Sequence, residues 1–241
     1  MRRILSVVLL LAAVVASNAA EYEVTSPDGK VKVKVLNAEG TRYSVAYDAL
    51  ALIADSPLSM TLEDGTIWGS SKVRKASRKS VDEPINATFY RKAVVKNAYN
   101  ELNLDYGTYN LVFRVYDDGF GWRWESDKRK PYKVTAEQAT FNFVEDWNMY
   151  ATYTHKYESQ GLDAQYMDDF ENLYKYTPLS AWDKSHFGVL PLMVDCPEGI
   201  KLVIAESDLV SYPGMFLYNG DSDRCLEGKY APYPKVEELG G

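Results

Sequence analysis

Three groupings of carboxylates stand out as residues able to do chemistry: Asp117/Asp118, Asp168/Asp169 and Glu206/Asp208. Paired carboxyl groups suit glycoside hydrolysis, where one protonates the leaving oxygen and the other attacks or activates water from roughly 5 to 10 Å away across a sugar. Sequence does not reveal that separation, so composition permits such chemistry without identifying it. Glu206 has a further meaning. It follows Leu202 and Ile204 at a period of two, so an apolar stripe turns into Glu206 and Asp208 at the end of an expected strand. A carboxylate there is either a charged strand end facing water or an oxygen ligand for a hard cation such as calcium.

Other site chemistries have no foothold. The chain lacks a Gly-x-Ser-x-Gly elbow, zinc-type Cys/His spacing and a phosphate-cradling glycine loop. His155 and His186, the two histidines, lie outside any His-Glu-x-x-His pattern and read as hydrogen-bonded structural residues. Asn219-Gly220-Asp221-Ser222-Asp223 opens like an EF-hand loop, but no glycine stands at the sixth position and Tyr230 replaces the bidentate glutamate.

Residues 109–125, YNLVFRVYDDGFGWRWE, carry the clearest structural signal. They read as a β-hairpin with Asp118-Gly119 as its two-residue turn. In that register Phe113 faces Trp124, Val115 faces Trp122 and Arg114 faces Arg123. Phe113, Val115, Trp122 and Trp124 then share one face, a patch that a second layer must cover. Opposed arginines repel, so the register requires an anion such as Glu125 between them, or a longer turn. The simpler expectation is structural arginines paired with nearby carboxylates.

The 241 residues are 46% hydrophobic and 13% aromatic, enough for a sizeable core in one large all-β domain or two small ones. Nineteen tyrosines and five tryptophans suit both strands and sugar-stacking surfaces. Residues 1–20 have a basic start, an apolar run and a Ser17-Asn18-Ala19 site, the layout of a cleavable secretory signal. Removing Arg2 and Arg3 with that leader takes the net charge from −7 to about −9, which argues against nucleic acid as a partner. The apolar run is too short for a membrane span, and no cysteine lies near the cleavage site. A periplasmic or secreted protein without a lipid anchor is therefore expected. Cys196 and Cys225 could pair in such a compartment, but sequence does not give their separation.

Along the chain, residues 31–35 alternate strictly and residues 43–47 answer them, making an N-terminal meander. Residues 56–62 form a further strand, and residues 70–79, basic and serine-rich, read as a solvated loop. Residues 140–144 alternate again. Residues 152–176 read as a long loop with a short helical turn, an excursion of the kind that is often functional. Residues 187–194 and 199–209 form a second hairpin. At least a dozen short strands with almost no helical period predict an all-β fold, a large antiparallel β-sandwich.

Three ordered motifs resemble the N-terminal domain of glycoside hydrolase family 97: Ala98-Tyr99-Asn100-Glu101-Leu102, the run from Val112 to Arg123, and Ala205-Glu206-Ser207-Asp208-Leu209 with Tyr212-Pro213. The likeness spans residues 21–241. It implies a β-supersandwich, galactose-mutarotase-like, as the N-terminal part of an α-glucosidase or α-galactosidase. In such an enzyme the catalytic carboxylates lie on a separate (β/α)₈ barrel. The resemblance implies no catalytic residue in this chain and one metal ligand, Glu206, which reaches an active-site Ca²⁺ completed by the barrel. An oligosaccharide substrate and the protein's own barrel are the implied partners, and the chain alone is expected to be inactive. The alternative is a stand-alone carbohydrate-binding sandwich, and an in-frame barrel after the codon for Gly241 would discriminate the two.

Overall fold

The computed structural model describes residues 19–126, 130–168, 170–210 and 212–232, with the side chain of Glu158 outside the description. Sixteen strands and four short 3₁₀ turns make up the described chain. The first nine strands are β1 Ala20–Thr25, β2 Val31–Asn37, β3 Thr41–Tyr47, β4 Leu50–Leu62, β5 Ile67–Trp68, β6 Lys75–Asn86, β7 Val94–Asp105, β8 Tyr109–Tyr116 and β9 Gly119–Ser126. They are followed by β10 Val134–Asn142, β11 Asn148–Tyr153, β12 Lys175–Pro178, β13 Gly188–Asp195, β14 Lys201–Ile204, β15 Met215–Asn219 and β16 Cys225–Tyr230. No helix among the described residues is long and apolar enough to cross a membrane.

Two sheets result. One has twelve strands in the order β1-β2-β3-β4-β10-β16-β15-β13-β11-β12, with β5 added to β4 and β14 to β13; the other is the four-stranded meander β6-β7-β8-β9. Every described pairing is antiparallel. Alternation dictates the packing. In β2, Val31, Val33 and Val35 turn inward while the lysines between them turn out, and β3 matches them with Tyr43 and Val45. The small sheet answers with Leu102, Leu104, Leu111, Phe113 and Val115, all fully buried. The layers meet where Tyr43 packs against Phe113 and Trp122, at centroid distances of 6.3 and 5.1 Å, and where Trp122 meets Phe141 at 5.6 Å. The large antiparallel sandwich is thus as expected.

The central hairpin is present in a different register. Tyr116 pairs with Gly119, Phe113 with Trp122 and Arg114 with Gly121, so Asp117-Asp118 is the turn rather than Asp118-Gly119. This register moves the pairing by two residues, so each side chain keeps its face, and Phe113, Val115, Trp122 and Trp124 do share one side. It also removes the clash of opposed arginines. Asp117 accepts the Asp28 backbone N–H at 2.9 Å, which ties this turn to the turn between β1 and β2. Arg114 instead lies across from Glu101 and donates to it at 2.8 Å, while Arg123 donates to Glu125 at 2.7 Å. Both arginines thus pair with nearby carboxylates.

Residues 75–79 belong to β6, an exposed edge strand, and not to a solvated loop; the full twelve-pair ladder with β7 supplies the backbone bonds that its polar side chains do not advertise. The tyrosine-rich excursion holds two 3₁₀ turns, Glu158–Gln160 and Leu162–Met167, before returning as β12. Residues 1–18 of the leader expected at residues 1–20 lie outside the described residues, as does Asp169. Cys196 and Cys225 are both buried free thiols, and burial pushes each up to about 11.

Candidate functional site

A cleft of about 1170 Å³ opens between β9 of the small sheet and β10 of the large one, with residues 200–209 on a third side. Trp122 and Trp124 line its apolar part, and Arg123, Glu137, Glu206 and Tyr212 bring polar groups to it. The elements that place these residues follow from simple patterns. β9 alternates so that its tryptophans turn toward the core and Arg123 turns away. β10 carries Glu137 at the same parity as Ala139 and Phe141, both buried, so this acid is aimed inward where the strand begins.

Glu206 and Asp208 are not on a strand. β14 ends at Ile204, and the chain then runs without regular structure to β15. The period-two extrapolation from Leu202 and Ile204 therefore fails beyond Ile204. Backbone strain marks the departure, since Asp208 adopts φ 61°, a left-handed value that a continuing strand excludes. Asp208 is exposed and stands 4.0 Å from the Arg123 guanidinium.

Glu206 is held where the strand pattern did not foresee. Both of its carboxylate oxygens accept the Met215 backbone N–H, at 2.8 and 3.0 Å. Met215 opens β15 and pairs with Tyr230 of β16. Burial raises the Glu206 carboxyl above the usual range, and the Met215 N–H partly offsets that.

Glu137 is the residue that sequence reasoning missed. It accepts the Tyr212 hydroxyl at 2.6 Å. Burial is the main cause that lifts its carboxyl; the hydroxyls of Tyr212 and Tyr230 pull it back, and the charge of Glu206 pushes it further up. The tyrosines respond in kind, for burial and the Glu137 charge drive both phenols well above their usual range. Tyr212 and Tyr230 meet edge to face at 5.8 Å. The segment bearing Glu206 is thus tied down twice, by Glu206 to Met215 and by Tyr212 to Glu137. Extending the inward parity of Ala139 and Phe141 back along β10 would have found Glu137.

Of the other sequence candidates, Asp118 of the hairpin turn also lines the cleft, whereas Asp168 and the histidines lie elsewhere. Asp168 is buried and accepts N–H groups from His155, Lys156 and Phe170 at 2.5, 2.9 and 3.1 Å, so it staples a loop. His155 stands 3.3 Å from the same carboxylate, and His186 lies 3.8 Å from Asp183. Among the described residues no three Asp, Glu, His or Cys side chains converge into a metal cage.

Comparison with known proteins agrees with this architecture. The family model described as glycosyl-hydrolase 97 N-terminal matches residues 24–234. A retaining alpha-galactosidase of Bacteroides thetaiotaomicron is 35% identical over 223 residues, a match covering 92% of this chain and 34% of that protein. The chain thus spans about a third of the length of this relative. Among solved structures, a glycoside hydrolase family 97 enzyme from Pseudoalteromonas sp. strain K8, in complex with acarbose, aligns with a TM-score of 0.72 at 21% identity, covering 88% of this chain and 32% of that one. A beta-arabinopyranosidase aligns with a TM-score of 0.72 at 20% identity, covering 86% and 35%. At these identities the structural likeness speaks for the fold alone. The family model spans most of the sandwich, so the chain belongs to the glycosyl-hydrolase 97 N-terminal family.

Proposed function

We propose that this chain serves as the N-terminal domain of a periplasmic or secreted, calcium-dependent α-glycosidase acting on α-glucosides or α-galactosides. In that role it packs on a separate catalytic barrel, contributes one wall of the substrate pocket and supplies Glu206 to the metal. The observation that carries the reading is the clamp on Glu206. A single N–H engages both carboxylate oxygens and leaves each with lone pairs for a hard cation.

The residues present fit calcium in kind, since Glu206 offers oxygen donors. In number they fall short, because calcium takes about 6 to 8 oxygens and one carboxylate supplies at most two of them. The remaining ligands must come from outside this domain. Calcium there would act as a Lewis acid and as a template for a substrate oxygen; this chain's part is to hold the Glu206 carboxylate in place through Met215 and the Tyr212–Glu137 tie.

Calorimetry of the mature chain with calcium chloride tests the shared site. Binding at or above the millimolar range of weak extracellular sites is the expected result. Micromolar affinity would mean that the domain builds a complete site of its own. Aryl α-glucosides and α-galactosides should not turn over above buffer with this chain alone, since the acid and base carboxylates of such an enzyme would lie on the barrel.

A further inference from the structure

A second surface adjoins the cleft, with Lys201 and Val203 at the border between the two. On the outward face of the large sheet, β12, β11, β13 and β14 run side by side, and their registers set Tyr176 opposite Tyr150, Tyr150 opposite Met193 and Met193 opposite Val203. The next outward row is Pro178, Asn148, Asp195 and Lys201. An aromatic and apolar row therefore lies beside a polar one on a single pleated surface. Tyr174, two residues before Tyr176, shares its parity. The three tyrosines are 37%, 52% and 49% exposed at positions 150, 174 and 176.

These rings are held in place although they are exposed. The Tyr176 hydroxyl donates to Asp195 at 2.8 Å, and Asp195 in turn pairs with Lys201. The Tyr174 hydroxyl donates to the Pro191 carbonyl at 3.2 Å. Tyr150 and Tyr176 pack together with centroids 4.5 Å apart. The anchored hydroxyls of Tyr174 and Tyr176 and the packing of Tyr150 on Tyr176 fix the rings before any ligand arrives, so binding costs little further rotamer entropy.

We propose that Tyr150, Tyr174 and Tyr176, with Asn148, Asp195 and Lys201 beside them, form a surface binding site for an α-linked hexopyranose oligosaccharide. A pyranose ring has an apolar C–H face that suits an aromatic ring and an equator of hydroxyls that suits a flanking carboxylate, ammonium and amide. That division matches the two rows. A protein partner fits less well, because covering the Asp195–Lys201 pair would strip its water, whereas a sugar leaves the pair solvated. The α linkage rests on the substrate class proposed above, whereas the site itself requires neither Glu206, calcium nor a barrel.

Affinity electrophoresis of the mature chain through native gels containing amylopectin or galactomannan tests the site. Retardation by either polysaccharide is expected; because galactomannan bears its α-galactosyl groups on a β-mannan backbone, relief of the retardation by soluble maltotriose or raffinose identifies the sugar. Tyr150→Ala/Tyr176→Ala should abolish the retardation, and Tyr176→Phe, which keeps the ring, should retain most of it. Relative to a gel without polysaccharide, Glu206→Gln should be retarded as much as the unmodified chain, which separates this site from the metal proposal. Circular dichroism of each variant checks folding, and Tyr150→Ser and Tyr174→Ala serve as gentler changes if the double variant unfolds. Absence of retardation in both gels, retardation unchanged in the folded double variant, or a concentration-dependent dimer lost in that variant would overturn the proposal.

Discussion

Glu206 and Met215 are joined by one backbone N–H that reaches both oxygens of the carboxylate, at 2.8 and 3.0 Å, across nine residues of chain. The bond does two things. It satisfies the donor at the first residue of β15, and it fixes the direction of a side chain that no strand supports.

Glu206→Gln keeps the shape and one acceptor for Met215, so the melting temperature of the isolated chain should change little. The lost charge should weaken calcium affinity and activity together in a protein that unites this domain with its barrel. Excess calcium should partly restore activity, because mass action refills a weakened site. A calcium titration of the activity of unmodified and variant enzyme checks this; an unchanged calcium dependence would contradict it.

Glu137→Gln tests the second tie. Burial has raised the Glu137 carboxyl, so the folded state holds its proton more tightly than the unfolded chain. The sign follows: stability at this residue is present at low pH and is lost as pH rises from the unfolded value through the raised folded one. A neutral amide still accepts from Tyr212 and escapes that loss. Above that range the variant should therefore match or exceed the original in thermal stability. Tyr212→Phe, which leaves the buried carboxylate with the Tyr230 hydroxyl alone, should be destabilised by about 1 to 3 kcal/mol.

Asp168 has the opposite pH dependence. Burial disfavours its charge, but the N–H groups of Lys156, His155 and Phe170 outweigh that, and the neighbouring His155 adds to them, so the carboxyl sits at about 2 instead of 3.8. Its contribution is fully present above the unfolded value and is lost as pH falls from about 4 to about 2. Asp168→Asn should flatten the acid limb of stability in that window, which urea titrations at several pH values would resolve.

Gly69 has φ +90°, and a Cβ there would lie 2.8 Å from the Leu58 carbonyl oxygen. Gly69→Ala should cost roughly 1 to 3 kcal/mol, because left-handed strain and a backbone clash coincide and the neighbouring strand cannot give way. Chemical denaturation measures it, and a shift within about 0.5 kcal/mol would show that the turn relaxes.

Much of the sandwich was legible because alternation is local. Val31, Val33 and Val35 declare their face without knowing what covers it, and so do Phe113 and Val115. β6 was harder to read. Its side chains are exposed on both faces, so its existence rests on backbone bonds to β7 that leave no apolar trace. β12 is similar, a four-residue strand made by pairing with β11.

By itself the sequence determined the all-β class, the inward faces of the strands and, through three ordered motifs, the family to which the chain belongs. Each is a matter of residue type at short spacing, where strand geometry leaves little freedom. Only the tertiary structure decided the hairpin register, since a shift of two residues preserves every face and leaves no mark on the pattern. Only it brought Glu137, Tyr212 and Tyr230 beside the segment that carries Glu206, and set Tyr150 against Tyr176 across 26 residues of chain. Such juxtapositions depend on which strands become neighbours, and strand order is settled by how the whole apolar surface is buried, a property that no local stretch of sequence contains.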